Sequence, residues 1–125
     1  MTDMYKQKLL LRHYHHPLNK GELENPDKIF SGINIACGDE LEIHLKLDKK
    51  GKIKNAAWQG RGCVISQASA SIFTEMIKGK TIDEVKKFEN DEILDKLGLK
   101  LSPNRIKCAL LSLYTIKDSE KINNL

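Results

Sequence analysis

The clearest pattern along the chain is an alternation of apolar and polar residues between positions 40 and 47. The apolar positions of this run are Leu41, Ile43, Leu45 and Leu47. Because strand side chains point alternately to opposite faces, a period of two predicts a strand with one buried and one solvated face. Turn residues 48–51 lead into a second run, 52–59, which predicts an antiparallel return strand. A shorter strand over 32–36 would make the sheet three-stranded.

Helical spacing flanks this sheet on both sides. Residues 4–16 predict a first helix that Pro17 ends, and residues 18–32 predict a loop rich in turn-forming residues. After position 63, apolar residues recur at helical spacing as far as Gly79, which can supply a C-terminal cap. A helix is therefore expected directly after the return strand.

Further helix signals occupy the last third of the chain. A capping box over 81–84 predicts a short helix, and residues 91–97 predict another. Ser102 and Pro103 are typical of the N-cap and first turn of a last helix. The polar tail after Asp118 is expected to fray.

The order of these elements predicts the fold class. Strands come first and helices later, so we expect an α+β fold with a small three-stranded antiparallel sheet covered on one face by helices. A length of 125 residues suits one compact domain over residues 1–125. The chain has no apolar run of membrane-spanning length, and charges occur throughout its first thirty residues. We therefore expect a cytoplasmic protein with no membrane partner.

The charge pattern does not favour nucleic acid as a partner. The chain has 21 basic and 17 acidic residues, for a net charge of +4. The two signs are interspersed, whereas a nucleic-acid binder usually has clustered basic residues with aromatic side chains for stacking. We expect an ordinary solvated surface and no nucleic-acid partner.

The three cysteines, Cys37, Cys63 and Cys108, lie outside the main apolar stripes. An odd number of distant cysteines does not indicate a disulfide framework in a reducing compartment. Gly38 lets the chain turn tightly, so the side chains of Cys37 and Asp39 can point to one place. Two glycines allow close backbone approach at Cys63, where the start of a helix stabilises negative sulfur. Cys108 falls in the second turn of the last helix.

Three thiolates and one carboxylate form a tetrahedral set that suits zinc or the iron of a cluster. Oxygen is a poorer partner than sulfur for these soft sites, so Asp39 would make the site labile, as a transfer site requires. The chain has no pair of cysteines two residues apart. By spacing alone, buried inert thiols and a metal site therefore remain equal alternatives.

Five ordered stretches carry a more specific signal. They are His13-Tyr14 to Pro17-Leu18-Asn19-Lys20-Gly21, Ala36-Cys37-Gly38-Asp39, Gly60-Arg61-Gly62-Cys63 with Ile65-Ser66 to Ala68-Ser69-Ala70-Ser71, Ile77-Lys78-Gly79-Lys80, and Arg105-Ile106-Lys107-Cys108-Ala109. In this order and at this spacing, the stretches resemble the IscU/SufU/NifU-type iron–sulfur cluster assembly scaffolds. The resemblance covers nearly the whole chain.

The resemblance implies a SufE/NifU-like scaffold fold and a cysteine desulfurase partner that delivers persulfide sulfur. It implies that Cys37, Asp39, Cys63 and Cys108 hold zinc or build a labile [2Fe–2S] cluster. That cluster would pass to apo iron–sulfur acceptor proteins. Cys37 is the candidate sulfur acceptor by analogy with SufU, and Cys108 is the candidate by analogy with IscU.

Two departures from the IscU pattern keep the mechanism open. Lys107 stands where IscU-type members have His; it is a poor ligand at neutral pH and would instead help to stabilise thiolate or persulfide charge. A lysine here resembles the SufU branch, whereas the short interval from Cys63 to Cys108 resembles IscU. Residues 101–105 differ from the Leu-Pro-Pro-Val-Lys loop of IscU, which weakens the expectation of an Hsp70-type chaperone partner.

Three functions therefore remain as hypotheses. The first is a cluster scaffold, and the second is a zinc-dependent sulfurtransferase that activates the desulfurase. Only the second would make the chain an enzyme. The third is an interaction module with purely structural zinc, against which Asp39 in the ligand set argues.

The other candidate residues receive structural interpretations. Those interpreted as packing and capping residues are His13, His15 and His16. We expect His44 to be exposed on the polar face of its strand and Trp58 to pack in the core. Arg105 orients the site, contacts the desulfurase or forms a surface pair, and the same alternatives stay open for Arg61.

Overall fold

Three antiparallel strands bring the candidate site residues to one end of the sheet. In the computed structural model, which describes residues 3–98 and 100–125, the strands are β1 (Lys28–Asn34), β2 (Asp39–Leu47) and β3 (Ile53–Arg61), in the order β1-β2-β3. The register pairs Asn34 with Asp39. The ends of β1 and β3 therefore lie beside the start of β2, and the predicted three-stranded sheet is confirmed.

The helices pack on one face of this sheet, as predicted. They are α1 (Asp3–His15), α2 (Val64–Met76), α3 (Ile82–Lys86), α4 (Asn90–Leu97) and α5 (Pro103–Lys117), followed by a short 3-10 helix at Lys121–Asn124. α2 and α5 contact each other and the strands, and α1 lies against α2. Thr81 caps α3 and Ser102 caps α5 through their side chains, as the sequence predicts. None of the described helices is long and apolar enough to cross a membrane.

Two apolar clusters hold the layers together. The main cluster, between the sheet and the helices, includes Leu41, Ile43, Leu45, Trp58, Phe73, Leu110 and Leu113. Trp58 is fully buried, which confirms its predicted core position, and its Nε1 donates to the carbonyl of Leu18 at 2.9 Å. The second cluster, beneath α1, consists of Leu10, Ile65, Ala68, Leu97, Cys108 and Ala109. Burial of each large apolar side chain contributes roughly 1.5–3 kcal/mol.

Two backbone expectations were wrong. Strand β1 begins at Lys28, so the predicted loop over 18–32 is too long; Lys28 already pairs with Leu45 of β2. The tail after Asp118 does not fray, because Ile122 is fully buried in the main cluster. The side chain of Asn123 also hydrogen-bonds the backbone of Ile33 and Ile35, so this mostly polar segment is held by one apolar side chain and one amide.

His44 is buried, so its expected exposure was also wrong. It lies on the solvent side of β2, but the preceding loop covers it, and its exposed fraction is 6%. The backbone N–H of Leu23 donates to Nδ1 at 3.4 Å, and Nε2 lies 2.6 Å from a carboxylate oxygen of Glu42. Because Nδ1 accepts, Nε2 carries the proton and donates to Glu42.

His13 fastens the end of α1 to α2. Its Nδ1 lies 2.8 Å from Ser71 Oγ, which also accepts the backbone N–H of Leu18 at 2.8 Å. The packing interpretation of His13 is therefore confirmed, whereas His15 and His16 are exposed. Burial lowers the pKa of His13 below its ordinary value of 6.5, and the charge of Arg12 lowers it further.

This pKa shift predicts a pH-dependent contribution of His13 to stability. The folded state disfavours protonated His13, so its contribution is present above about pH 6.5 and is lost as the pH falls through the lowered pKa. We expect the free energy of unfolding to fall less steeply between about pH 7 and pH 5 in His13→Asn than in the wild type. Urea denaturation across this range measures the slopes, and exposed His15→Asn is the control. Equal slopes in wild type and His13→Asn would contradict the interpretation.

Candidate metal centre

The β1–β2 connection carries Cys37 in a tight turn. The N–H of Gly38 donates to the carbonyl of Asn34 at 2.8 Å, and Gly38 has a φ of 72°. This left-handed conformation favours glycine, since a side chain there is strained. The turn leaves Cys37 exposed at the end of the sheet.

Asp39 joins this turn to the junction between β3 and α2. Its carboxylate is almost fully buried, with 1% exposed. Oδ1 accepts the backbone N–H of Cys63 at 3.0 Å, and Oδ2 accepts Nδ2 of Asn34 at 3.4 Å. A charged acceptor for a backbone N–H is one of the stronger kinds of hydrogen bond, so Asp39 fixes where α2 begins relative to β2.

Cys63 caps the N-terminus of α2 with its thiol. Its Sγ accepts the backbone N–H of Ser66 at 3.4 Å, while Ser66 Oγ donates to the carbonyl of Cys63 at 3.1 Å. Gly62, just before it, has no space for a side chain: a Cβ there would lie 2.6 Å from Asp39 Oδ1. Glycine at this position lets the Asp39 carboxylate approach the junction.

Cys108 approaches the same place from α5, but it is buried, with 2% exposed. Burial raises the pKa of its thiol well above the ordinary value, and hydrogen bonds with Asp39, Cys63 and Cys37 raise it further. Without a metal, Cys108 is therefore a neutral thiol. A metal ion that binds its sulfur must displace the proton, so binding strengthens with rising pH.

The structure brings three of the four proposed ligands into one group. The sulfurs of Cys37 and Cys108 and a carboxylate oxygen of Asp39 lie within 4.8 Å of one another. Ligand sulfurs in a tetrahedral zinc site are about 3.8 Å apart, so these atoms need only a small adjustment to share an ion. Cys63 is outside this group, but it adjoins Cys108 and is exposed.

The basic residues near the site differ in their surroundings. Arg61 is exposed and forms a surface ion pair with Glu40 at 3.1 Å, in agreement with the surface alternative. Arg105 is exposed in the first turn of α5. Lys107 is half-buried beside Cys108 and remains a candidate for stabilising negative sulfur.

Asn34 is the residue that the sequence reasoning missed. Its side chain is fully buried, and Nδ2 reaches both Asp39 Oδ2 at 3.4 Å and Cys108 Sγ at 3.8 Å. In the sequence, an Asn three residues before Cys37 resembles an ordinary turn residue. Its place at the site follows from the pairing of Asn34 with Asp39 in the sheet. The sequence predicted a strand over 32–36 but not which residues of the next strand it pairs with.

Comparisons with known proteins show the family to which the chain is related. A family profile described as the NifU-like N terminal domain matches residues 4–121. The iron–sulfur cluster assembly scaffold protein IscU of Thermotoga maritima is 36% identical over 118 residues, which cover 82% of each chain. The protein of the same name from Escherichia coli K12 is 35% identical over 90% of this chain and 88% of its own length.

Solved structures give the same result for the fold. The crystal structure of a candidate iron–sulfur cluster assembly scaffold for the SUF system, SufU of Fervidobacterium islandicum, superposes with a TM-score of 0.78. It is 28% identical, over 95% of this chain and 98% of that one. The N-terminal part of a NifU-like protein of Brucella abortus shares the fold, with 21% identity and a TM-score of 0.68 over 94% and 92% of the two chains.

The tight packing at Gly62 predicts that even a methyl group there disturbs the site. In Gly62→Ala the new Cβ meets the Asp39 carboxylate and Ser66 Oγ. We expect a loss of about 1–3 kcal/mol in the free energy of unfolding, measured by urea denaturation, because neither group can move freely. We also expect weaker zinc binding in competition with a chromophoric chelator.

Gly51→Ala is the matched control for this variant. Gly51 has a φ of 79° in the β2–β3 turn, and a Cβ there meets nothing within 4 Å. Backbone strain should lower its stability by about 1–2 kcal/mol without changing zinc affinity. Zinc binding by Gly62→Ala as tight as in the wild type would contradict the role of this close approach.

Proposed function

The chain belongs to the family of NifU-like N-terminal domains, and on that premise we propose that it is an iron–sulfur cluster assembly scaffold. In this proposal it accepts persulfide sulfur from a cysteine desulfurase, and an external electron donor reduces that sulfur to sulfide. A labile [2Fe–2S] cluster built from this sulfide and iron then passes to apo acceptor proteins. The proposal places this activity in one scaffold domain over residues 1–125, working in the cytoplasm. The observation that supports it most is the grouping of Cys37, Asp39 and Cys108 around one point.

The donor set fits zinc or a cluster iron. Two thiol sulfurs and one carboxylate oxygen are ligands that both metals accept, and Cys63 is the proposed fourth ligand. A bound metal would act as a Lewis acid that keeps these thiolates deprotonated. The mixed set, with oxygen among sulfurs, favours release over permanent retention.

Differences in exposure favour Cys37 over Cys108 as the sulfur acceptor. Cys37 is exposed at the turn, whereas Cys108 is enclosed in the second apolar cluster. Thiol–disulfide exchange requires an accessible thiolate. The Cys37 thiolate would attack the outer sulfur of the desulfurase persulfide. A new S–S bond forms as the old one breaks, and the desulfurase cysteine leaves as a thiolate, so no external oxidant is needed.

Single cysteine variants test this assignment. After incubation with a cysteine desulfurase and free cysteine, mass spectrometry counts the added sulfur atoms on each variant. We expect Cys37→Ala to lose most of the persulfide uptake, because the exposed acceptor is gone. Cys63→Ala removes another exposed thiol, outside the three-atom group, and should keep uptake. Full uptake by Cys37→Ala would overturn the assignment. If persulfide uptake is lost only in Cys108→Ala, Cys108 is the acceptor.

The second candidate function is a zinc-dependent sulfurtransferase that activates the desulfurase. The observation that favours it is half-buried Lys107 next to Cys108, since a lysine adds positive charge without adding a ligand. Both functions share the sulfur-accepting step, and they differ in whether iron is ever bound. A purely structural zinc module is the least supported, because two apolar clusters already hold the elements together.

Anaerobic reconstitution separates these candidates. With iron and sulfide, the scaffold proposal expects a visible chromophore on the chain that transfers to an apo-ferredoxin. The transfer is expected because the oxygen ligand makes the site labile. Cys63→Ala removes a proposed ligand and should therefore lower the yield of chromophore. Tight zinc binding without any chromophore, together with stimulation of the desulfurase, would contradict the scaffold function and support the sulfurtransferase.

A further inference from the structure

Asn34 is buried at the site with only half of its amide satisfied. The side chain is the last of β1 and has no exposed surface. Its Oδ1 has no hydrogen-bond partner among the described residues, one of two such buried side-chain atoms there. An unsatisfied buried acceptor is unfavourable for folding, because it gives up its hydrogen bonds to water without a replacement.

Turning the amide over does not remove this cost. In the observed orientation, Nδ2 points to Asp39 Oδ2 and Cys108 Sγ, and Oδ1 is left unpaired. The opposite orientation would place Oδ1 against a carboxylate oxygen, which is repulsive, and would leave the donors without their acceptors. The retained amide therefore indicates a use for its N–H groups at this point.

The two acceptors of Nδ2 belong to different elements. Asp39 begins β2, and Cys108 lies on α5. The same side chain therefore bridges the sheet and the last helix at the point where these two candidate ligands lie close together. Hydrogen bonds from residues behind the ligands orient them and typically change metal affinity by about 10–100-fold.

We propose that Asn34 is a positioning residue of the metal centre, whose amide nitrogen holds the Asp39 carboxylate and the Cys108 sulfur toward a common ion. This inference rests on the proposed metal-binding function. Asn34 does not bind the ion itself. Its amide nitrogen lies 3.4 Å from Asp39 Oδ2 and 3.8 Å from Cys108 Sγ, so it orients both ligand atoms from behind. The N–H of Gly38 donates to the carbonyl of Asn34 and fixes the turn that carries Cys37.

Asn34→Leu provides a test because it separates stability from affinity. Leucine has the same number and branching of side-chain heavy atoms and lacks both the donors and the unpaired acceptor. We expect zinc affinity, measured by chelator competition, to fall about 10–100-fold. The free energy of unfolding of the metal-free protein should change little, because removal of the unpaired oxygen offsets the loss of one donor to the Asp39 carboxylate. In the cobalt-substituted protein, the sulfur-to-cobalt charge-transfer band should shift or weaken.

Two matched controls accompany this variant. Ser112→Ala removes the other unpaired buried oxygen, which lies one helical turn beyond Cys108, and should leave zinc affinity unchanged. Asn123→Ala removes a side chain that hydrogen-bonds the backbone of Ile33 and Ile35 on either side of Asn34. It should lower stability without the loss of affinity, because it reaches no ligand atom.

The outcomes distinguish this inference from the function on which it rests. Zinc affinity in Asn34→Leu equal to that of the wild type, or a loss of stability with unchanged affinity, overturns the positioning role alone. A wild type that binds neither zinc nor cobalt overturns the positioning role and the proposed metal centre together. If Asn34→Leu does not fold, Asn34→Ser, which keeps a shorter donor, decides: intermediate affinity supports the role, and wild-type affinity overturns it.

Discussion

The candidate site depends on one hydrogen bond, from the backbone N–H of Cys63 to the buried carboxylate of Asp39. Asp39 starts β2, and Cys63 starts α2, so this contact connects two turns that are far apart in sequence. A buried carboxylate needs partners, and here they are a helix N-terminus and the amide of Asn34. The contact therefore fixes both the position of a candidate ligand and the packing of the sheet against α2.

This constraint changes the interpretation of the glycines around the cysteines. In the sequence they predict only a tight turn at Cys37 and close backbone approach at Cys63, without the contacts that require them. In the structure Gly62 is required by close packing against Asp39 and Ser66, and Gly38 by its left-handed backbone. Because the backbone around the site is tightly placed, the lability that we propose would come from the mixed oxygen and sulfur ligands and from exposed Cys37.

Local signals in the sequence predicted the sheet and most of the helices correctly. The alternation over 40–47 and the caps at Thr81 and Ser102 depend only on neighbouring residues, and the structure confirms the strand and both caps. The start of β1, buried His44 and the anchored Ile122 were missed because each depends on a contact with a distant segment. A polar residue on the solvent face of a strand is exposed only if no loop crosses it, and local periodicity carries no information about that loop.

The candidate ligands came from motif order, and the convergence of three of them is a property of the folded chain. Register places Asn34 beside Asp39, and α5 delivers Cys108 from another layer, which spacing alone does not specify. X-ray absorption at the zinc edge of the zinc-loaded protein tests the central claim most directly. One ion bound by sulfur at about 2.3 Å together with oxygen at about 2.0 Å, with the oxygen contribution altered in Asp39→Ala, is the expected result. A zinc ion bound by no sulfur, or the same ligand distances in the wild type and in Asp39→Ala, would contradict a shared metal centre.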